Sequence, residues 1–95
     1  MDKTILTKIL DDRKNGKIEI LNIVLKNGVL IQFLGDYVVT YSGQCEQRSY
    51  IGRNPEINLK ANIWGEWFVI IGHDCLRIKP SFIAEIDKED VATPE

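Results

Sequence analysis

Apolar residues near the start of the chain recur at the spacing of one face of an α-helix. They are Ile5, Leu6, Ile9 and Leu10. Asp2 or Thr4 can cap the start of this helix, because both side chains accept a hydrogen bond from a backbone amide. Gly16 can end it after Asn15, since glycine readily adopts the left-handed conformation. The pattern predicts a short N-terminal helix that needs packing against other elements to be stable.

From residue 18 onward the pattern changes to segments rich in Ile, Val, Phe and Tyr, which is typical of β-strands. Asn27-Gly28 and Gly35-Asp36 interrupt these segments, and both dipeptides suit two-residue turns between antiparallel strands. The sequence therefore predicts a three-stranded antiparallel meander, with strands near residues 18–26, 29–34 and 37–41.

The turns fix the register of this meander, because residues that flank a two-residue turn lie opposite each other. Leu34 then pairs with Tyr37, and Phe33 pairs with Val38. One face of the sheet carries Val29, Ile31, Phe33 and Val38, and the other carries Leu30, Leu34, Tyr37, Val39 and Tyr41. A sheet with one face in water alternates apolar and polar residues. Since both faces are apolar, we expect one to be covered by the curl of the sheet and one by the helix.

Residues 42–56, SGQCEQRSYIGRNPE, form the longest stretch without a clear strand pattern. This stretch predicts a loop, and loops of this length inside compact domains often carry function. A short strand near residues 48–51 is the alternative. Arg48 and Arg53 lie on either side of Tyr50, a combination that can bind nucleic acid through charge and stacking.

Residues 57–64 alternate between two faces of a predicted strand. One face carries Ile57, Leu59, Ala61 and Ile63. Gly65-Glu66 suits a two-residue turn, which places Trp64 directly opposite Trp67 on the other face. This aromatic pair has two interpretations. It is structural, locking the hairpin or lying under the helix, or it is exposed and binds a protein partner.

The C-terminal part of the chain predicts further short elements. Residues 67–71 and 75–79 read as strands, and residues 82–86 as a last strand or a turn of helix. Residues 88–95 are acidic and predict a flexible tail. We therefore expect a single domain that spans residues 1–87.

The sequence IVLKNGVLIQF resembles the first hairpin of Sm proteins, and the closing CLRIKPSFIAEI is similar to the end of Sm-like and SH3-like barrels. Sm proteins usually carry a glycine in the second strand, whereas Gln32 and Phe33 occupy that neighbourhood here. No RNA-binding residue is therefore carried over. The resemblance implies a mainly β fold, either a small antiparallel barrel or a strongly curled sheet of about six strands, with a short N-terminal helix.

Composition and charge limit the classes of partner. The chain has 95 residues, enough for one domain, and its net charge of -2 provides no basic excess for nucleic-acid phosphates. No stretch is long enough to span a membrane, and the start has no apolar segment of signal-peptide length. The two cysteines, Cys45 and Cys75, are fewer than small secreted scaffolds use. We expect a cytoplasmic protein that does not contact membranes.

Histidine and cysteine come close in sequence at His73, Asp74 and Cys75. A Cys–His couple can supply a nucleophile and its base, and together with Cys45 it can supply three ligands for zinc. A zinc site takes four ligands, however, and the sequence lacks a CxxC pair. The carboxylates are scattered over predicted loops rather than paired in a cleft. We therefore predict no catalytic residues, no metal and no cofactor.

The remaining prediction is a non-enzymatic β-domain that binds a protein partner or associates with itself. Its candidate surface combines residues 42–56 with Trp64 and Trp67. The alternative is an Sm-like module that binds single-stranded RNA or DNA, which the net charge disfavours. The candidate residues for that alternative are Arg48, Tyr50, Arg53 and Lys60.

Overall fold

The computed structural model describes residues 1–35, 37–43, 45–50, 55–72 and 76–91, with the backbone alone at 48–50. These residues form a mainly β protein with one short helix. The elements in chain order are α1 (Lys3–Lys14), β1 (Ile18–Leu25), β2 (Leu30–Phe33), β3 (Tyr37–Ser42), β4 (Cys45–Tyr50), β5 (Ile57–Ala61), β6 (Trp67–Ile71), β7 (Leu76–Ile78), a 3-10 helix (Pro80–Phe82) and β8 (Ile83–Asp90).

The strands form two antiparallel sheets. The larger sheet has five strands in the order β4-β3-β2-β1-β8, and the smaller has three strands in the order β5-β6-β7. The chain builds most of the larger sheet as a meander, leaves it to form the smaller sheet, and returns with β8 beside β1. The predicted mainly β fold with a helix is confirmed. The predicted barrel is not confirmed, because the strands described here form two open sheets.

Helix α1 begins and ends at its predicted capping residues. At its start, the Thr4 backbone amide donates a hydrogen bond of 2.7 Å to the Asp2 carboxylate. At its end, Gly16 has a φ of 75°, and its amide donates to the Arg13 carbonyl over 3.1 Å. These bonds satisfy backbone groups that have no partner within the helix. The predicted helix is therefore confirmed.

One apolar core joins the helix to both sheets. Leu6 of α1 is completely buried, as are Val38 of β3 and Val69 of β6. The other buried members of the core are Ile9, Leu10, Ile18, Ile20, Ile23, Ile31, Ile57, Ile71, Ile78, Ile83 and Ile86. Removal of this apolar area from water is the main force that holds the helix and the sheets together.

The opposite face of the larger sheet lies outside that core. Leu30 pairs with Tyr41 and Gln32 pairs with Val39 on this face, and none of the four is a member of the core cluster. Val39 is buried, whereas the other three are half-buried. The helix and the smaller sheet pack together on the inner face. Our expectation that both faces would be covered is therefore not confirmed for the part of the chain that the structure describes.

Strand β1 changes the face that it buries at a β-bulge. A register shift between Ile20 and Asn22 leaves Leu21 without a residue opposite it on β8. The extra residue shifts the alternation of side chains by one position. As a result, Ile20 and Ile23 are both buried in the core. Asn22 lies on the outer face instead, where its Nδ2 donates to Asp87 Oδ2 over 3.3 Å.

The first hairpin loop has three residues, not the two that the sequence predicted. Leu25 and Val29 close the loop, and the Leu25 amide donates to the Val29 carbonyl over 2.9 Å. The Gly28 amide donates to the Leu25 carbonyl over 3.0 Å, and Gly28 has a φ of 87°. A three-residue loop of this kind ends on one left-handed residue, which is Gly28. The prediction that Asn27 and Gly28 alone form the turn is therefore wrong.

The register of the second hairpin is confirmed. Phe33 pairs with Val38, and the Leu34 amide donates to the Tyr37 carbonyl over 3.0 Å. Asp36, the second residue of the predicted turn, lies outside the described residues.

Replacement of Gly28 by Val tests the first hairpin loop. We expect the free energy of unfolding to fall by about 1 kcal/mol or more, because a β-branched residue is strained at positive φ. A Cβ at this position would meet no atom within 4 Å, so the loss comes from the backbone. Gly28→Asn is the matched control, since Asn tolerates the left-handed conformation. Urea denaturation measures both variants, and equal stabilities would contradict the turn geometry.

Two segments that the sequence placed outside strands belong to the larger sheet. The predicted loop 42–56 contains β4, which pairs with β3 from Cys45 to Tyr50, while residues 51–54 lie outside the described residues. Residues 88–90 were predicted to begin a flexible tail, yet they lie in β8 and pair with β1. Both segments are strands because their backbones form hydrogen bonds with a neighbouring strand, although neither segment has a continuous apolar face.

Candidate protein-binding site

The hairpin between β5 and β6 ends in a loop that differs from the prediction. Ala61 pairs with Trp67, and the Asn62 amide donates to the Glu66 carbonyl over 2.8 Å. We call residues 62–66 the hairpin tip. Three residues form its loop, namely Ile63, Trp64 and Gly65. The predicted two-residue turn is therefore wrong, and the two tryptophans do not lie opposite each other.

Asn62 holds the hairpin tip in one conformation. Its Oδ1 accepts hydrogen bonds from the Trp64 and Glu66 amides, each over 2.9 Å. Its carbonyl accepts the Gly65 amide over 3.1 Å, and Gly65 has a φ of 80°. Asn side chains often stabilise turns by bonding to the backbone two residues further on. The conformation of the tip is thus fixed by bonds within the tip itself.

Ile63 and Trp64 project from the hairpin tip into solvent. Their side chains are 88% and 77% exposed, the largest values among the exposed apolar residues that the structure describes. Single apolar residues are common on protein surfaces, but two large ones side by side on a protruding loop form an apolar patch. Each would contribute about 1.5–3 kcal/mol if it were fully buried. Removal of this patch from water would therefore be favourable.

Trp67 has a different environment. It shares with Ala61 and Leu59 the strand face that points toward α1. Lys3 Nζ lies 3.6 Å from the centroid of the Trp67 ring, a cation–π distance, and the ring is 39% exposed. The helix therefore covers part of Trp67 and leaves Trp64 open. The interpretation in which the helix covers both tryptophans is wrong.

The outer face of the smaller sheet carries a second group of side chains. Lys60 lies opposite Phe68, and the Arg77 guanidinium lies 5.7 Å from the centroid of the Phe68 ring. Asn58 and Ile70 form the next pair along the strands. These residues line a shallow cavity of about 400 Å³. The face thus combines a half-buried aromatic ring with two cationic side chains and the carboxylate of Glu56.

Two polar contacts lie at the ends of this hairpin. Lys79 Nζ lies 3.7 Å from Glu66 Oε2, and both side chains are exposed enough that the pair adds little stability. At the start of β5, the Arg13 guanidinium donates to the Pro55 carbonyl over 2.8 Å. Burial lowers the pKa of Arg13 from its ordinary value, although the guanidinium stays protonated in proteins. Arg13 thus ties α1 to the segment that enters the smaller sheet.

The structure places five of the six candidate residues, and these five fall into two groups. Arg48 and Tyr50 lie in β4 of the larger sheet, while Arg53 lies outside the described residues. The remaining three, Lys60, Trp64 and Trp67, belong to the β5–β6 hairpin. The combined surface of residues 42–56 and the tryptophans is therefore split between two sheets.

Sequence reasoning missed the roles of Asn62 and Ile63. The spacing of Asn62 and Gly65 was a usable signal, because Asn at the first and Gly at the fourth position are typical of a type I turn. That turn leaves Ile63 and Trp64 as its two central residues, which point away from the sheet.

The described ranges contain no group of three or more His, Cys, Asp or Glu side chains that could hold a metal. Cys45 is exposed and belongs to no disulfide, whereas His73, Asp74 and Cys75 lie outside the described residues. Among those same ranges, the structure has no helix of the length and apolarity needed to cross a membrane.

No protein-family model, no curated protein and no solved structure matches this chain. The fold and the hairpin tip therefore define its class directly: a small, mainly β protein in which one helix packs with two antiparallel sheets.

Proposed function

We propose that the protein is a non-enzymatic binding module that inserts its hairpin tip into an apolar pocket of a protein partner. The observation that carries this proposal is the exposure of Ile63 and Trp64, 88% and 77%, on a loop that Asn62 holds in place. Tryptophan is enriched among the interface residues that contribute most to binding.

The rigidity of the tip supports this function energetically. Binding loses free energy when a flexible loop must become ordered at the interface. The bonds from Asn62 to the Trp64 and Glu66 amides already fix the loop in the unbound protein. Burial of the two apolar side chains therefore gives tighter binding than it would on a flexible loop, because less free energy is lost in ordering the turn.

The charges around the tip indicate the chemistry of the pocket's rim. Two exposed lysines lie near the tip, Lys60 on the outer face of β5 and Lys3 of α1 over the Trp67 ring. Lys79 is paired with Glu66. The partner that fits is a protein pocket with an apolar floor for Ile63 and Trp64 and carboxylates at its edge. Opposite charges at a rim mainly increase the association rate.

Replacement of Trp64 by Ala tests the proposal. The immobilised protein is incubated with nuclease-treated extract of its source cells, and the bound proteins are quantified for wild type and variant. We expect a specific protein to be lost with Trp64→Ala, and its affinity, measured after purification, to fall about 30-fold, equivalent to about 2 kcal/mol.

The matched control for this experiment is Phe82→Ala, because Phe82 is another exposed aromatic residue, at 48%. Its partner binding is expected to equal that of wild type. Trp64→Ala should change the free energy of unfolding by less than about 0.5 kcal/mol, since the side chain is exposed. A bound set that is the same for wild type and Trp64→Ala would refute the proposed function.

Nucleic-acid binding is a second candidate, and the outer face of the smaller sheet favours it. There Phe68 can stack with a base, while Lys60 and Arg77 contribute positive charge. The net charge of -2 opposes it. This candidate requires that a single-stranded oligonucleotide binds at low salt, and that Lys60→Ala weakens binding and flattens its salt dependence. Absence of low-salt binding would eliminate both this face and an Sm-like role for Arg48, Tyr50 and Arg53.

A further inference from the structure

The edge strand β4 provides a second surface for association, separate from the hairpin tip. We infer that two copies of the protein pair their β4 strands antiparallel, around a twofold axis at Gln47, and so join their larger sheets into one continuous sheet. The surface lies in a different sheet from the hairpin tip, so the inference does not depend on the proposed function.

The two edges of the larger sheet, β4 and β8, differ in their capacity to pair. β8 meets β1 through two register shifts and carries a row of exposed charges, namely Glu85, Lys88, Glu89 and Asp90. Bulges and charges of this kind prevent edge-to-edge pairing. β4 pairs with β3 from Cys45 to Tyr50 without a register shift. It is therefore a regular edge that another strand can extend.

The hydrogen bonds of the larger sheet determine which residues of β4 point their backbone groups outward. The Leu34 amide donates to the Tyr37 carbonyl, so these residues form a hydrogen-bonded pair. Such pairs alternate with non-hydrogen-bonded pairs along antiparallel strands. Every second residue of β3 after Tyr37 therefore bonds to β2, and the residues between them bond to β4. By register, Cys45, Gln47 and Ser49 bond back to β3, and the outward positions are Glu46, Arg48 and Tyr50.

This alternation restricts how two β4 strands can meet. A residue of one copy whose backbone groups point outward must lie opposite such a residue of the other copy. Because these residues alternate along β4, the twofold axis passes through one residue and never between two. Centring on Glu46 or on Arg48 places like charges opposite each other, which is unfavourable. Centring on Gln47 places Glu46 of each copy opposite Arg48 of the other. The order Glu-Gln-Arg is thus self-complementary in charge, and it favours this register over those centred on a charged residue.

A charge-swap series measured by sedimentation equilibrium tests this register. Wild type is expected to show a concentration-dependent monomer–dimer equilibrium. Glu46→Arg and Arg48→Glu should each weaken dimerisation at least about tenfold, because each single change replaces attraction by repulsion at both symmetric positions. The double variant restores opposite charges in the same register, so it should return the dimer to within about threefold of wild type. Its net charge equals that of wild type.

Lys88→Glu is the matched control, because it changes net charge by the same amount as Arg48→Glu but lies on β8. It should leave dimerisation unchanged. Three outcomes would overturn the inference: wild type that stays monomeric at all concentrations, a double variant that is no better than the single ones, or a Lys88→Glu effect as large as that of Arg48→Glu.

A cysteine at the twofold axis tests the register by an independent measurement. Gln47→Cys, in a background with Cys45→Ser and Cys75→Ser, places one thiol opposite its symmetry mate at a non-hydrogen-bonded pair. The Cα atoms of such a pair lie about 4.5 Å apart, within the range that a disulfide spans. Mild oxidation should convert most of the protein to a covalent dimer. Lys60→Cys in the same background is the control, and equal cross-linking of the two would contradict the inference.

Discussion

Replacement of Leu6 by Ala is expected to lower the free energy of unfolding by about 3 kcal/mol, within a range of about 2–5 kcal/mol for buried Leu. Leu6 is completely buried and belongs to the core cluster that joins the helix to both sheets. Its truncation removes apolar contacts and leaves a cavity, because the β-strands around it cannot collapse without losing their hydrogen bonds.

The control for Leu6 lies one residue earlier on the same helix. Ile5 is 56% exposed, so Ile5→Ala should change the free energy of unfolding by about 0.5 kcal/mol or less. Urea denaturation followed by circular dichroism measures both variants. A loss for Ile5→Ala as large as that for Leu6→Ala would mean that α1 does not present the observed face to the sheets.

Replacement of Ile23 by Ala should be comparably destabilising, by about 3 kcal/mol. Ile23 is 1% exposed and lies in β1, an interior strand of the larger sheet between β2 and β8. Its burial depends on the bulge at Leu21, because strict alternation from Ile20 would place Ile23 on the outer face. The variant therefore tests the bulge as well as the core.

Leu21→Ala is the matched comparison for Ile23→Ala. Leu21 is 38% exposed, so its loss should cost less than about 1 kcal/mol. The same denaturation measurement ranks the two variants. Without the bulge, Leu21 and Ile23 would share one face of β1, so equal losses for the two variants would contradict the bulge.

The helix and the meander were predictable from the sequence because local chemistry determines them. Asp2 and Gly16 fix the ends of α1 through bonds to residues close in sequence. The second meander turn was equally local, and its register of Phe33 with Val38 is confirmed. In these segments, residue type and spacing were sufficient.

Loop length was the first feature that sequence reasoning got wrong, and the reason is physical. A glycine at positive φ serves both a two-residue turn and the end of a three-residue turn, so Gly28 and Gly65 fit either geometry. At the hairpin tip the Asn62 side chain favours the three-residue loop, because it accepts a hydrogen bond from the Trp64 amide. The loop therefore has three residues instead of two. As a result the two tryptophans do not pair, and Trp64 is exposed while Trp67 is partly covered.

The edge strand β4 was the second feature that the sequence-based prediction got wrong. Cys45, Glu46 and Gln47 are all exposed, so no apolar alternation marks this strand. Its register with β3 supplies the hydrogen bonds that define it. The candidate site residues Arg48 and Tyr50 were consequently placed in a loop, although they lie in a paired strand.

The position of β8 has a consequence for how the chain folds. β1 is the first of the described strands, yet its neighbour on one side is the last of them, since Ile18 pairs with Asp90 and Leu25 with Ile83. Closure of that long loop costs more chain entropy than any hairpin in the molecule and raises the contact order. Before β8 docks, the meander therefore has one side of β1 unpaired. We expect the pairing of β8 with β1 to form later in folding than the hairpins, because its residues are far apart in sequence.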